Sequence, residues 1–216
     1  MSAPRHHPEE ALLAAHVAGA LSAIAAVPLA THLAYCPDCR ARAKALEAIG
    51  GEVLEAARPA ALGADALERT LRAIDEAPAA RPTPPRPAGD PRLPEPLRAL
   101  VGRALDDVPW RAFGRNFALA EIAAEAGAEL VLLKMAPGAA MPAHRHDGHE
   151  LTLVLAGGYA DAAGAYRPGD FACADAATEH APIADADGEC LCLVMIQDQP
   201  RFTGWFGRLL QPFLRI

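Results

Sequence analysis

The chain has 216 residues, with 20 Lys and Arg against 27 Asp and Glu, a formal net charge of -7, and 5 cysteines. That length holds one large domain or two modest ones, each able to bury a core without disulfides, and we read two. The mildly acidic balance, with no run of Lys or Arg, excludes a footprint built to neutralise phosphates and with it direct nucleic-acid binding.

An odd number of cysteines, two of them in a Cys-x2-Cys pair, and no secretory signal argue for a reducing compartment and for metal ligation over disulfides. The expected location is the cytoplasm. Residues 11–30, ALLAAHVAGALSAIAAVPLA, approach the length of a membrane span. His16, Ser22 and Pro28 interrupt them, and Glu9 and Glu10 precede them where a signal peptide would be basic. We read two helices with a break near Gly19, Pro8 at the first helical position with His7 as cap, and Ser22 capping the second helix.

Helical periodicity continues to about Asp75 with no strand signal. In ALGADALERTLRAIDEA, Leu67, Leu71 and Ile74 share one face with charges between them, which fits either a bundle helix or a partner-binding helix. Residues 78–96 contain eight prolines and read as a semi-rigid linker. LRALVGRAL reads as a short helix. WRAFGRNFALAEI, AELVLLKMA, ELTLVLAGGYAD and ECLCLVMIQ are then short apolar or alternating runs set off by Gly, Pro and Asp, the pattern of an antiparallel sandwich or barrel. The tail, with Trp205, Phe206, Leu209, Leu210, Phe213 and Leu214, is expected to cover an edge of the core. A membrane-surface or oligomer contact is its rival reading.

Two clusters carry chemistry. His32 and Cys36 share a helix face, and Pro37 suits the first position of a new helix, so Cys36 and Cys39 fall at a helix junction. Zinc prefers four thiolate and imidazole ligands in a tetrahedron; His7 is the candidate fourth and His6 its rival. A redox dithiol is the alternative, but such a site expects a preceding strand, which this region lacks. This pattern, inside about 75 residues of helix, resembles the zinc-binding anti-sigma domain, and the step from His7 to His32 in that family favours His7.

The second cluster reads Gly138-x5-His144-x-His146-x3-Glu150-x6-Gly157 and resembles the first cupin motif. Histidines two apart on a strand point to one face, and a turn through Asp147 and Gly148 brings Glu150 alongside. Of the second cupin motif Gly169 and His180 keep the spacing, whereas Asp175, Ala177 and Ala184 replace the usual Pro, Gly and Asn. Three histidines and a glutamate accept zinc, iron, manganese or nickel, with zinc our first choice. His149 lies outside the motif, and Cys190 and Cys192 share a strand face near the expected core, a commoner place for structural than for redox cysteines.

In this order, the two signatures resemble the ChrR family of cupin-bearing zinc anti-sigma factors. The resemblance implies an α+β protein of two domains: a zinc-binding helical anti-sigma domain, residues 1–77, and an antiparallel cupin β-barrel, residues 97–216, with the linker between. It further implies that the helical domain inhibits an extracytoplasmic-function sigma factor. The cupin would end inhibition in response to singlet oxygen or organic peroxides, acting through the proline-rich tether. No membrane partner is expected. The rival class is a metal-dependent cupin enzyme of the dioxygenase type, for which a helical zinc module on a tether has little use.

Overall fold

The computed structural model describes residues 3–77, 89–125, 127–198 and 201–202. Four helices open the chain: α1 (Glu10–Val17), α2 (Ala23–Tyr35), α3 (Pro37–Glu55) and α4 (Ala66–Asp75). The break after α1 falls where expected, with Gly19 at φ 67° and the Ala25 N–H donating to Ser22 Oγ at 3.3 Å. One expectation fails: α1 begins at Glu10 with Glu9 as its cap, and neither Pro8 nor His7 starts it. The backbone of Arg5 and His6 is bound elsewhere in the protein, as described below, and this holds the segment extended up to the helix. Pro28 lies within α2, which runs unbroken through it. Pro37 opens α3, and Cys36 caps it by accepting the Cys39 N–H at 3.3 Å.

After a fifth helix, α5 (Glu95–Val101), the described residues form eleven strands: β1 (Arg111–Phe113), β2 (Phe117–Glu125), β3 (Ala128–Met135), β4 (His144–Arg145), β5 (Glu150–Ala156), β6 (Tyr159–Asp161), β7 (Gly164–Tyr166), β8 (Phe171–Ala174), β9 (Ile183–Ala184), β10 (Cys190–Gln197) and β11 (Arg201–Phe202). All the pairings are antiparallel. The largest sheet has the order β1-β2-β3-β10-β5-β8, accompanied by β7-β6-β9 and by β11-β4. The expected closed barrel is not reached: among the described residues the three ladders do not join into one ring. Strands β4 and β9 have two residues each, too short to carry a ladder onward, and isolated bridges at His144–His180 and Ala140–Ile183 tie them to loop residues instead.

Strand periodicity explains why β3, β5 and β10 are apolar almost throughout. In β10, Cys190, Cys192 and Val194 face the interior between the sheets, while Leu191, Leu193 and Met195 enter a second core on the outer face. That outer core contains Leu130, Leu132, Leu151 and Leu153 of the sheet, Leu97 and Val101 of α5, and Ile24 and Leu29 of α2. Helix α2 therefore buries its apolar side on the sheet. Each such side chain contributes roughly 1.5–3 kcal/mol. Leu93, inside the proline-rich stretch, joins this core, and buried Asp90 accepts the Leu105 N–H at 2.9 Å and binds Arg92. Residues 78–88 and the tail from 203, with the aromatic and leucine side chains singled out above, lie outside the described residues. No described helix is long and apolar enough to cross a membrane.

Candidate metal centres

The junction of α2 and α3 assembles the first cluster. Cys36 and Cys39 come from the cap and first turn of α3, His32 from the last turn of α2, and His7 from the extended segment before α1. His7 Nδ1 lies 3.4 Å from each thiol sulfur, and His32 Nε2 lies 3.3 Å from Cys39 Sγ. A tetrahedral zinc with ordinary Zn–S and Zn–N bonds spaces its sulfur and nitrogen ligands about 3.5 Å apart. These side chains therefore fit that ion as they stand. His6 does not compete: its ring packs on Tyr166, centroids 4.3 Å apart, and its Nε2–H donates to the Ala165 carbonyl at 3.2 Å.

Burial, a hydrogen bond with Cys36 and the nearby Cys36 charge push the Cys39 thiol up to about 12. Without a cation Cys39 keeps its proton, so binding a metal there would expel it. The His32 Nδ1–H donates to the Gly169 carbonyl at 2.7 Å, since a carbonyl can only accept. This fixes the tautomer that leaves Nε2 free to ligate.

The second cluster lies between the sheets. His144 is on β4, Glu150 opens β5, and His146 and His180 sit in the loops beside them. The ligand atoms of these four residues all fall within 4.8 Å of one another. His146 Nε2 is 3.3 Å from His180 Nε2 and 2.9 Å from Glu150 Oε2. The His144 Nδ1–H donates to the Pro142 carbonyl at 2.9 Å, turning Nε2 inward. Burial first, then the neighbouring His180, pushes His144 down to about 4. Burial raises Glu150, but the His146 hydrogen bond and the charges of the three imidazoles outweigh it and bring the carboxyl to about 2. His146 Nδ1 is buried with no partner among the described residues, a cost that a metal bond at Nε2 would offset. The donor set fits a first-row divalent ion or zinc.

A cavity of about 60 Å³ adjoins this cluster, lined by Phe113, Val131, Met135, Met141, Tyr159 and Cys192 beside the ligands. A single water needs roughly 10–15 Å³ of such space, so the cavity takes a few waters or one small molecule. Gly157, the last residue of the first motif, has φ 65°, and a Cβ there would collide with the Glu189 carbonyl oxygen. Cys190 and Cys192 are buried with sulfurs 3.6 Å apart, whereas His149 is exposed.

Comparison with known proteins decides the family. Residues 99–199 match the ChrR cupin-like domain, and residues 10–40 match a putative zinc-finger family. Over 212 residues the chain is 42% identical to the anti-sigma-E factor ChrR of Cereibacter sphaeroides, covering 98% of this chain and 99% of that protein. The chain belongs to the ChrR family of anti-sigma factors. A crystal structure of Rhodobacter sphaeroides SigE in complex with the anti-sigma ChrR aligns with a TM-score of 0.78 at 39% identity, covering 89% of this chain and 99% of that one. This ChrR-family protein thus pairs a helical zinc-finger region with a cupin fold, and its family is one of regulators and not of enzymes.

Missed in the sequence were Asp170, Tyr159 and Tyr166. The first sits in a Pro-Gly-Asp turn that signals only a change of direction, and the tyrosines read as ordinary strand residues.

Proposed function

We propose that this chain is a cytoplasmic inhibitor of an extracytoplasmic-function sigma factor. Its N-terminal helices, residues 1–77, bind the factor, and its cupin, residues 97–216, releases it in response to singlet oxygen or an organic peroxide. The observation that carries the inhibitor reading is an apolar surface left open on the helices. In α4 no residue is buried, and Leu67, Leu71 and Ile74 are 72%, 52% and 64% exposed on one face. Ile49, Val53 and Leu54 of α3 are exposed as well. An amphipathic helix with nothing among the described residues against its apolar face is built to lie in a partner's groove. Membership of the ChrR family, and the complex its relative forms with SigE, supply the class of partner.

His7, His32, Cys36 and Cys39 would hold zinc in the helical part. His144, His146, Glu150 and His180 would hold a second divalent metal, zinc first, in the cupin. Bound zinc supplies folding free energy to the helices around it. The residues do the rest: Cys36 and Cys39 fix the α2–α3 corner, His32 ties it to the end of α2, and His7 draws the N-terminal segment over it. In the cupin, the small apolar cavity admits a peroxide-sized molecule to the face of Glu150 and His180 and excludes bulkier substrates.

The test is capture of extracytoplasmic-function sigma factors from the source cell by the full chain, with and without a zinc chelator. Zinc-dependent capture of one such factor is expected, and its release when the complex meets singlet oxygen or tert-butyl hydroperoxide. Failure of the folded, zinc-loaded chain to capture any of them would overturn the reading.

A further inference from the structure

The helical zinc cluster is not completed by the helices alone. His7 precedes α1, and no helical hydrogen bond holds it. What fixes its neighbours is the turn between β7 and β8. Asp170, only 1% exposed, accepts the backbone N–H groups of Arg5 and His6 on one carboxylate oxygen and that of Arg167 on the other. The Phe171 N–H then donates to the His6 carbonyl at 3.0 Å. The segment leading into His7 is thereby bound to the cupin as if it were a further short strand. The same turn supplies the Gly169 carbonyl that orients fully buried His32. Gly169 has φ 93°, and a Cβ there would come within 2.9 Å of both Pro4 and Tyr35, so the helices approach this turn as closely as its backbone allows.

We propose that the cupin turn Arg167–Phe171 is a working part of the N-terminal metal site, with Asp170 and Gly169 positioning His7 and His32 for ligation. This rests on the zinc reading of that cluster. Outer partners of metal ligands set ring orientation and typically change affinity by about 10–100-fold. The turn also borders the other centre. Tyr166, at its start, packs between His6 and Tyr159, with ring centroids 4.3 and 4.7 Å apart, and Tyr159 lines the cavity beside Glu150. The stack Tyr159–Tyr166–His6 thus runs from the cupin cavity to the residue before His7, giving a packed route between the two clusters besides the chain connection.

The experiment loads the full chain with Co(II). Of the two clusters among the described residues, the helical one alone contains cysteines, so thiolate-to-cobalt charge-transfer absorption reports that site. After excess EDTA is added, its decay is compared in the unmodified chain, Asp170→Asn and Asp170→Ala. We expect decay at least about tenfold faster in Asp170→Ala, with Asp170→Asn between, and cobalt in the cupin lost at the unmodified rate. Structural damage alone would lower the unfolding temperature without this graded, site-selective effect. A second measurement needs no variant: stripping metal from the thiolate site of the unmodified chain should speed hydrogen exchange at the Arg167 and Phe171 amides, because coupling between two sites is reciprocal. Absence of the charge-transfer band in the unmodified chain overturns the zinc reading itself. A normal band with unchanged decay in both variants, or unchanged exchange at the turn, overturns the positioning role alone. Should the variants fail to fold, the exchange result decides.

Discussion

His144 and His180 exchange both of their backbone hydrogen bonds, each N–H donating to the other's carbonyl, at 3.0 and 3.1 Å. Two of the four side chains proposed to hold the cupin metal are thus brought together by main chain, before any ion is bound. Replacing His180 by Ala leaves this bridge in place while removing one ligand. We expect His180→Ala to weaken metal binding in the cupin by at least about tenfold. Circular dichroism and the thiolate-site metal should be unchanged; metal content after dialysis against a graded chelator checks this.

The open face of α4 gives a second prediction. Leu71→Asp changes a side chain that touches no core, so the unfolding free energy of the free protein should move by no more than about 0.5 kcal/mol. Binding of the sigma factor should weaken by about 2 kcal/mol or more, roughly 30-fold, if that face is the anchor. Calorimetric titration against the captured factor measures both the affinity and its loss.

Leu29 of α2 is fully buried against residues of the sheet. Leu29→Ala should cost about 2–5 kcal/mol. Because the core it enters is shared, the full chain should melt in one calorimetric transition, and the variant should lower that transition as a whole. Two resolved transitions, with only the first shifted, would contradict this.

A related outcome concerns the proline-rich stretch. If the halves are joined by buried contact, cutting a protease site inserted at position 83 should leave them together on a sizing column in dilute buffer. Elution as two separate species would show that the covalent connection alone unites them.

Asp90 gives a pH dependence. The side-chain hydrogen bond from Arg92, followed by the Leu105 N–H, holds its carboxyl well below the usual carboxylate range. A depressed native value means that its stabilisation is fully present above the unfolded carboxylate value and is lost as pH falls through the native one. Asp90→Asn should therefore melt at a lower temperature than the unmodified chain at pH 7, and the two should converge as the pH is brought down through the acid range. A difference that stayed constant with pH would assign Asp90 a purely steric role.

Much of this was legible in the sequence. Ligand spacing placed Cys36, Cys39 and His32 at one corner and His144, His146 and Glu150 at another, because helix and strand periods dictate which side chains share a face, whereas His180 came only from the resemblance to the second cupin motif. The strand runs were legible too, since LVLLKM and CLCLVMI are short apolar runs and the runs around them are set off by Gly, Pro and Asp. What covers the outer face was not: Ile24 and Leu29 have the spacing of any bundle helix, and a period records that a face is apolar without recording what meets it. The start of α1 was misread for a similar reason, since the capping preference at His7 and Pro8 is local while Asp170 acts from across the fold. Barrel closure also depends on the lengths of β4 and β9, which hairpin and turn signals do not fix.

The shared core has a bearing on how the protein is made. Helix α2 leaves the ribosome well before Leu193 and Met195 of β10, which belong to the same core as Ile24 and Leu29. At about 5–20 residues per second, synthesis of the intervening chain takes on the order of ten seconds or more. Until β10 emerges that core lacks its last strand, so the apolar side of α2 is covered in stages, first by α5 and then by β3, β5 and β10. Helices translated early are thus completed only by a later strand of the cupin, which ties their correct assembly to formation of that sheet.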